Sequence, residues 1–354
     1  MADRLAGVPL APYTTLRTGG PARAFTQART QDELIAIVAE ADRAREPVLV
    51  LGGGSNLVVS DDGFDGLVVR VATLGVEETS PGSVTGDGRV LVTAQAGEDW
   101  DALVARCVTE GWSGVECLSG VPGLVGSTPI QNVGAYGQDV SQTVAAVRVY
   151  DRRAGEVRDL TAAECGFAYR HSAFKHQPDR HVVLAVTYAL ERSPLSGPVA
   201  YKELAARLGV EIGTRVPLAE AREAVLELRR GKGMVLDPGD PDTRSAGSFF
   251  TNPVLGPEEA AALELRAPGH PRWDTPDGMV KVPAAWLIEN AGFPKGYEKG
   301  RVRISTKHTL ALTNPTGEAS ADELLALARE VREGVHEKFG VWLVNEPVLV
   351  GARL

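Results

Sequence analysis

The sequence predicts an α+β protein of two or three domains, on three observations. The chain has 354 residues, 44% of them apolar, more than one hydrophobic core of ordinary size uses. Capped helix patterns and strand-like runs of β-branched residues both recur along it. The glycine run in "PVLVLGGGSNLVVSDDGFDGLVVRV" (Pro47 to Val71) leads from one strand-like segment into another rather than into a helix.

Taken in order, the opening "MADRLAGVPLAPYTTL" lacks a charged segment followed by an apolar one, so no secretion signal is expected. Nor does any run approach the roughly 20 apolar residues of a membrane span. Thr30-Gln31-Asp32-Glu33 has capping-box form ahead of Leu34, Ile35, Val38 and Ala39, which predicts a helix to about Arg45. Pro47 ends it, and Val48 to Leu51 resume as a buried strand. Leu57 to Val71 is again rich in β-branched residues, whereas a Rossmann or Walker loop opens a helix. No G-x-x-x-x-G-K-[ST] occurs, and "GGGSN" lacks the Rossmann spacing. This turn either serves the fold alone or presents consecutive N–H groups as a concave diphosphate site that needs no helix.

A second helix is predicted from about Asp99 to Glu110, stopped by Gly111. "GVECLSGVPGLVGSTPIQNVGAYGQDV" (Gly114 to Val140) follows. It is dense in Gly, Pro, Ser and Asn, yet its interspersed Val, Leu and Ile argue against disorder, so it reads as backbone that wraps a ligand. Ser320-Ala321-Asp322-Glu323 is another capping box, opening a helix that carries Leu324, Leu327, Val331 and Val335. Cys107, Cys117 and Cys165 are odd in number and lack C-x-x-C spacing, so they read as packing residues, with no disulfide framework or zinc site expected.

The formal net charge of -9, with Lys and Arg scattered, weighs against nucleic acid or an anionic membrane as the main partner. An anionic ligand must then meet local basic residues. A cytoplasmic protein is expected.

Later segments make the reading specific. "CGFAYRHSAFK" (Cys165 to Lys175), "SAGSFFTNP" (Ser245 to Pro253), "STKHTLALTN" (Ser305 to Asn314) and "FGVWLVNEPVLVG" (Phe339 to Gly351) follow the two glycine loops in one order. With them the whole chain resembles the UDP-N-acetylenolpyruvoylglucosamine reductase family, flavoenzymes of bacterial cell-wall precursor synthesis. The resemblance implies a vanillyl-alcohol-oxidase-type FAD-binding fold with a substrate-binding domain. It also implies non-covalent FAD and NADPH as co-substrate, and a UDP-sugar whose enolpyruvyl ether is reduced to a lactyl ether. On it, Gly53, Gly54, Ser55 and Asn56 form the first flavin loop. Gly123, Gly126, Ser127, Gln131, Asn132 and Gly134 form the second.

By the same resemblance Ser248 donates a proton, while Arg170 and Glu346 stabilise the enolic intermediate. By residue type alone, Ser248 is a turn residue bonding its own backbone, Arg170 a surface ion-pair partner, and Glu346 a solvated loop carboxylate. The family usually shows L-E-P-E-V-R near the C-terminus; this chain has "LVNEPVLVG", and an ungapped match from Val341 and Trp342 to Gly351 selects Glu346. His171 has no family role and reads as a partly exposed polar residue.

For the substrate, Tyr136, Tyr201, Lys232, Asn252 and His308 occupy matching positions. Tyr201, in "VAYKEL", indicates the subtype with a tyrosine-bearing loop. "RRGKGMVLDP" carries two residues more than the usual "RRSKLPDP", so Lys232 or a neighbour fills the basic position. His308 in "KHTLAL" is either a substrate contact or a core histidine.

The expected domains are a first FAD subdomain at 5–73 completed by 340–354, a second at 74–230, and a substrate domain at 231–337. Two alternatives remain at this stage. A flavin-dependent sugar or alcohol oxidase would react fast with oxygen and need no NADPH. A flavin- or nucleotide-binding module would bind UDP-sugar without turnover.

Overall fold

The structure, a computed structural model, describes residues 3–79 and 89–354. The expected range 74–230 therefore includes residues, 80–88, that lie outside the described ones. Two compact units are present. The first comprises the chain up to Val8, Ala22–Gly53 and Asp65–Gly231; the second comprises Pro9–Pro21, Gly54–Phe64 and Lys232–Leu354.

The first unit contains a small sheet and a large one. In the small sheet the order is Leu5–Pro9, Pro21–Ala28, Phe64–Val71 and Val48–Leu51. Val48–Leu51 runs parallel to Phe64–Val71, a pairing that needs a crossover because the two strands point the same way. The predicted helix occupies Gln31–Ala44. The Thr30 side chain accepts from the Glu33 N–H, and Arg45 ends the helix in the left-handed region at φ 55°. Leu34, Ile37, Val38 and Ala41 fall on one buried face of it.

The large sheet is antiparallel, in the order Glu156–Thr161, Val144–Asp151, His181–Arg192, Arg89–Gln95, Val76–Thr79. Trp112–Ser113 pairs with the end of His181–Arg192. The helix expected over Asp99 to Glu110 spans Trp100–Thr109, capped by the Asp99 carboxylate on the Ala102 N–H at 2.8 Å and followed by Gly111 at φ 72°. Its Trp100 ring packs 5.7 Å from the Tyr188 ring, and both side chains are fully buried. Their polar ends are satisfied: Trp100 Nε1 donates to Leu118 O at 3.2 Å, and Tyr188 OH lies 2.8 Å from Thr128 Oγ1. Each bond reaches the Gly114–Val140 stretch, so the core itself positions that stretch.

In the second unit the helix predicted after Ser320 runs over Ala321–Phe339, and the capping box forms with both of its bonds. Asp61 adds to it, accepting from the Ala321 and Asp322 N–H groups at 2.8 and 3.0 Å, where helix N–H groups have no partner of their own. Leu57–Val59 and Val348–Val350 pair in parallel. Buried Asn314 donates to Leu16 O and Ala319 O and accepts from the Gly317 and Ala319 N–H groups, which fastens the Pro9–Pro21 segment into this unit. Leu16 and Val58 join the helix's buried face in one apolar core.

All three cysteines are buried and unpaired, as expected of packing residues. Burial pushes the Cys107 and Cys165 thiols up to about 12, so neither is a thiolate at neutral pH. Among the described residues no helix is long and apolar enough to cross a membrane.

Candidate active site

Within the first unit the two glycine loops meet on bare backbone. A Cβ on Gly53 would stand 2.8 Å from Gly123 Cα, one on Gly52 2.8 Å from Ser127 Oγ, and one on Gly126 2.6 Å from Ala96 Cβ. Contacts that short exclude every side chain at Gly53 and Gly126, so glycine there is a steric requirement. Where the loops are bared in this way a ligand can approach main-chain N–H groups closely, which suits the oxygens of a diphosphate.

The second loop is built of short pieces rather than one open coil. The chain passes through one-turn helices at Glu116–Leu118 and Val125–Ser127, then Thr128–Gln131, and then a hairpin that pairs Gly134 with Asp139 and Ala135 with Gln138. Tyr136 and Gly137 are the two hairpin-loop residues, both at positive φ (48° and 88°), the sign pattern of a type I′ turn. Of five non-glycine residues at positive φ among the described ones, three are Asn132, Tyr136 and Arg170. Such strain persists only where the surroundings enforce it, and it gathers at functional sites.

Arg170 sits in a tight turn closed by Ala168 and His171, which exchange both backbone hydrogen bonds at 3.0 and 3.1 Å. Its guanidinium donates to Gly134 O at 3.1 Å. Asn132 Nδ2 donates to Ala168 O at 3.1 Å, and Lys175 Nζ reaches both Gln131 Oε1 and Arg170 O. Gln131, Asn132, Gly134 and Arg170 therefore form one bonded group. The Tyr136 ring meets Tyr201 edge-on at 5.5 Å, which joins two expected substrate residues. His171 is exposed.

The second unit gathers the remaining residues. Gly54, at φ 62°, would carry a Cβ 1.9 Å from Tyr13 O. Asn56 then bonds the main chain around Glu346: its Nδ2 donates to Glu346 O at 3.4 Å, and its own carbonyl accepts from the Val348 N–H at 2.9 Å. Glu346 N donates to Phe249 O at 2.8 Å, Phe250 bridges to Asn345, and Thr251 N donates to Val344 O. Phe249 and Phe250 are buried, so this pairing is anchored by the core and sets half-exposed Ser248 next to Glu346 in space.

Phe249 N donates to Leu310 O at 2.7 Å, while Leu310 N donates to His308 Nδ1 at 3.1 Å. An N–H can only donate, so Nδ1 holds a lone pair and the neutral ring carries its proton on Nε2. The core reading of His308 gives way to a half-buried ring with a defined donor. Asn252 Oδ1 accepts from the Ala284 N–H, at the start of the Ala284–Asn290 helix. Lys232 follows the Leu218–Gly231 helix and is half-buried. Arg170, Tyr136 and Tyr201 thus belong to the first unit, and Ser248, Glu346, Lys232, Asn252 and His308 to the second.

Arg229, Glu116 and Asp242 are buried charges that the sequence reading does not single out. Burial pushes the Arg229 guanidinium down to about 10, with Tyr136 and Asp101 drawing it up and like-charged Arg170 opposing. Glu116, fully buried, accepts from Gly114 N, Gly197 N and Gln138 Nε2 at 2.6–2.9 Å. Asp242 is 2% exposed, in the loop after Lys232. Arg229 could have been noticed as part of a basic pair near Lys232; the two acids look like ordinary turn residues.

A family model described as "FAD binding domain" matches residues 22–161, and one described as "UDP-N-acetylenolpyruvoylglucosamine reductase, C-terminal domain" matches residues 240–350. Fold and matches define an α+β flavoprotein oxidoreductase with a vanillyl-alcohol-oxidase-type FAD-binding fold. The chain is 60% identical to the UDP-N-acetylenolpyruvoylglucosamine reductase of Thermobifida fusca, over 98% of each chain. With that of Streptomyces coelicolor it shares 57% identity over 99% of this chain and 91% of the other. It therefore belongs to the UDP-N-acetylenolpyruvoylglucosamine reductase family. A crystal structure of the Thermus caldophilus enzyme of that name, 27% identical, matches over 99% of both chains with a TM-score of 0.66.

Proposed function

We propose that this chain is a cytoplasmic enzyme that uses NADPH to reduce UDP-N-acetylglucosamine enolpyruvate to UDP-N-acetylmuramate, for peptidoglycan synthesis. The observation that carries the reading is the hydrogen-bonded pairing of Phe249 with Glu346. It holds the main chain at Glu346 against that of Phe249, the residue after Ser248, and Asn56 of a glycine loop grips the main chain at the same glutamate. Unpaired, buried cysteines fit a reducing compartment.

FAD, when bound, would supply the hydride-transfer chemistry between NADPH and the enolpyruvyl substrate. The residues proposed to hold it are Gly53, Gly54, Ser55 and Asn56 in one loop, and Gly123, Gly126, Ser127, Gln131, Asn132 and Gly134 in the other. The exclusion of side chains at Gly53, which faces Gly123, and at Gly126, which faces Ala96, supports this assignment. Ser248 delivers the proton to C2. Arg170, an obligate cation, stabilises the electron density pushed toward the substrate carboxylate, and Glu346 acts with it in polarising and stabilising the enolic intermediate. Tyr136, Tyr201, Lys232, Asn252 and His308 contact the UDP-sugar, with His308 offering its Nε2–H. The division into FAD subdomains at 5–73 with 340–354 and at 74–230, and a substrate domain at 231–337, belongs to the same proposal; the pairing of Leu57–Val59 with Val348–Val350 supports the return of the C-terminal segment.

The test is anaerobic stopped-flow absorbance of the flavin: NADPH should bleach it, and UDP-N-acetylglucosamine enolpyruvate should restore it. Recovery only with oxygen would indicate an oxidase instead. Recovery with neither would indicate a binding module.

A further inference from the structure

We infer that Asp242 is a positioning residue for Lys232 and His308, a buried carboxylate that fastens the lengthened loop after Lys232 to the turn that presents His308. The inference rests on reading Lys232 and His308 as substrate contacts. The loop leaves its helix at Lys232 and closes on itself. Gly233 is buried at φ 65°, and a Cβ there would stand 3.0 Å from Asp242 Cβ, so residue 233 and residue 242 touch across the loop. Between them the chain runs through exposed Leu236, Asp237, Pro238 and Gly239. An exposed excursion of this length has no apolar reason to hold one shape.

Asp242 supplies the polar reason. Its carboxylate accepts from the Thr306 N–H at 3.2 Å, from the Thr306 hydroxyl, and from the Arg303 guanidinium at 3.5 Å. Thr306 belongs to the turn in which Ser305 Oγ accepts from the Lys307 and His308 N–H groups at 3.1 and 3.2 Å. An outer ion pair, Asp240 with Lys307 at 2.6 Å, lies over the buried one, and Thr243 Oγ1 ties back to Asp237 O and Asp240 O. Two basic groups far apart in sequence are thereby ordered before any ligand arrives. Without the clamp, the ordering cost would fall on substrate binding. The cost should therefore appear in apparent affinity for the UDP-sugar, not in the rate at saturation.

The test uses the holoenzyme and measures flavin reoxidation against UDP-N-acetylglucosamine enolpyruvate concentration. Asp242→Asn should raise the half-saturating concentration roughly tenfold, with the limiting rate and flavin content within about twofold, since preorganisation acts on binding. Thr306→Val, which removes one donor and no charge, should shift it the same way by less. In a Lys232→Ala background Asp242→Asn should lose most of its effect, because coupled residues are not additive. Undiminished effect in that background would overturn the inference, as would parallel loss of flavin content and limiting rate. So would Asp242→Asn and Thr306→Val leaving affinity unmoved while Lys232→Ala raises the half-saturating concentration. If Lys232→Ala and His308→Ala both leave affinity unchanged, the substrate reading itself fails and the inference falls with it.

Discussion

Ser248 stands between Gly247, at φ 70°, and Phe249, whose N–H and C=O are bonded to Leu310 O and Glu346 N. Its backbone is held from both sides, so truncating the hydroxyl should change chemistry and spare the fold. Ser248→Ala is expected to leave flavin reduction by NADPH nearly intact and to slow reoxidation by the enolpyruvyl substrate by roughly 10²- to 10⁴-fold, the usual loss of a positioned acid. Ser248→Cys should recover part of the rate, since a thiol still donates a proton. Equal slowing of both half-reactions in stopped-flow traces would make Ser248 a structural residue.

Asp151 gives a residue-scale prediction about stability. Its side chain is fully buried, and the Arg180 hydrogen bonds at 2.9 and 3.1 Å, helped by the Arg153 and Ala154 N–H groups, hold its carboxyl down to about 2. The unfolded chain therefore binds the proton first. The stabilisation is present above the ordinary carboxylate value of about 3.9 and is lost as pH falls toward 2. Asp151→Asn should be less stable than the parent at pH 7, with a gap that narrows between about pH 4 and pH 2. Urea unfolding at several pH values measures it, and a gap independent of pH would refute the assignment.

Among elements, the glycine loops follow from what lies against them. Gly53 touches Gly123 main chain at a distance no Cβ tolerates, so Gly53→Ala must move one loop against the other. Displacements of that kind cost on the order of 1–3 kcal/mol. The chain should still fold, because its helices and strands are anchored elsewhere, but FAD affinity should drop about tenfold or more. Flavin absorbance per protein after gel filtration checks this; a full flavin complement would place the cofactor's phosphates elsewhere. Glu116 works on the same scale. Three N–H donors from Gly114, Gly197 and Gln138 converge on it, and Glu116→Ala should cost about 3 kcal/mol by leaving them buried and unmet. Thermal unfolding reads that loss, and Glu116→Gln should restore part of it.

For the whole molecule, a non-covalent cofactor makes stability depend on concentration. FAD at a hundred times its dissociation constant should add about 2.7 kcal/mol and raise the melting temperature of the apoprotein by several degrees. Acid precipitation should leave the flavin in the supernatant. Flavin in the pellet would mean a covalent link, for which the two loops carry no recognisable histidine or cysteine attachment motif. Because the sequence also lacks a Rossmann fingerprint to hold NADPH at a second place, NADPH and the enolpyruvyl substrate should alternate at one site, giving parallel double-reciprocal plots. Intersecting plots would count against that.

Local chemistry made part of this protein legible in advance. Thr30, Asp99 and Ser320 each cap a helix through a bond to a residue three positions on, and a contact of that span is written in adjacent letters. The strand-to-strand course of the glycine run was equally local, since β-branched residues follow the glycines where a helix would need other ones. Only the tertiary structure decided that Gly53 faces Gly123, that Asn56 grips the chain at Glu346, that Asp61 caps a helix beginning at Ala321, and that Asp242 receives Thr306. A buried carboxylate and a solvated one have the same letter and the same neighbours in sequence. What separates them is which distant N–H groups the packed core brings within 3.5 Å, and that is a property of the fold as a whole.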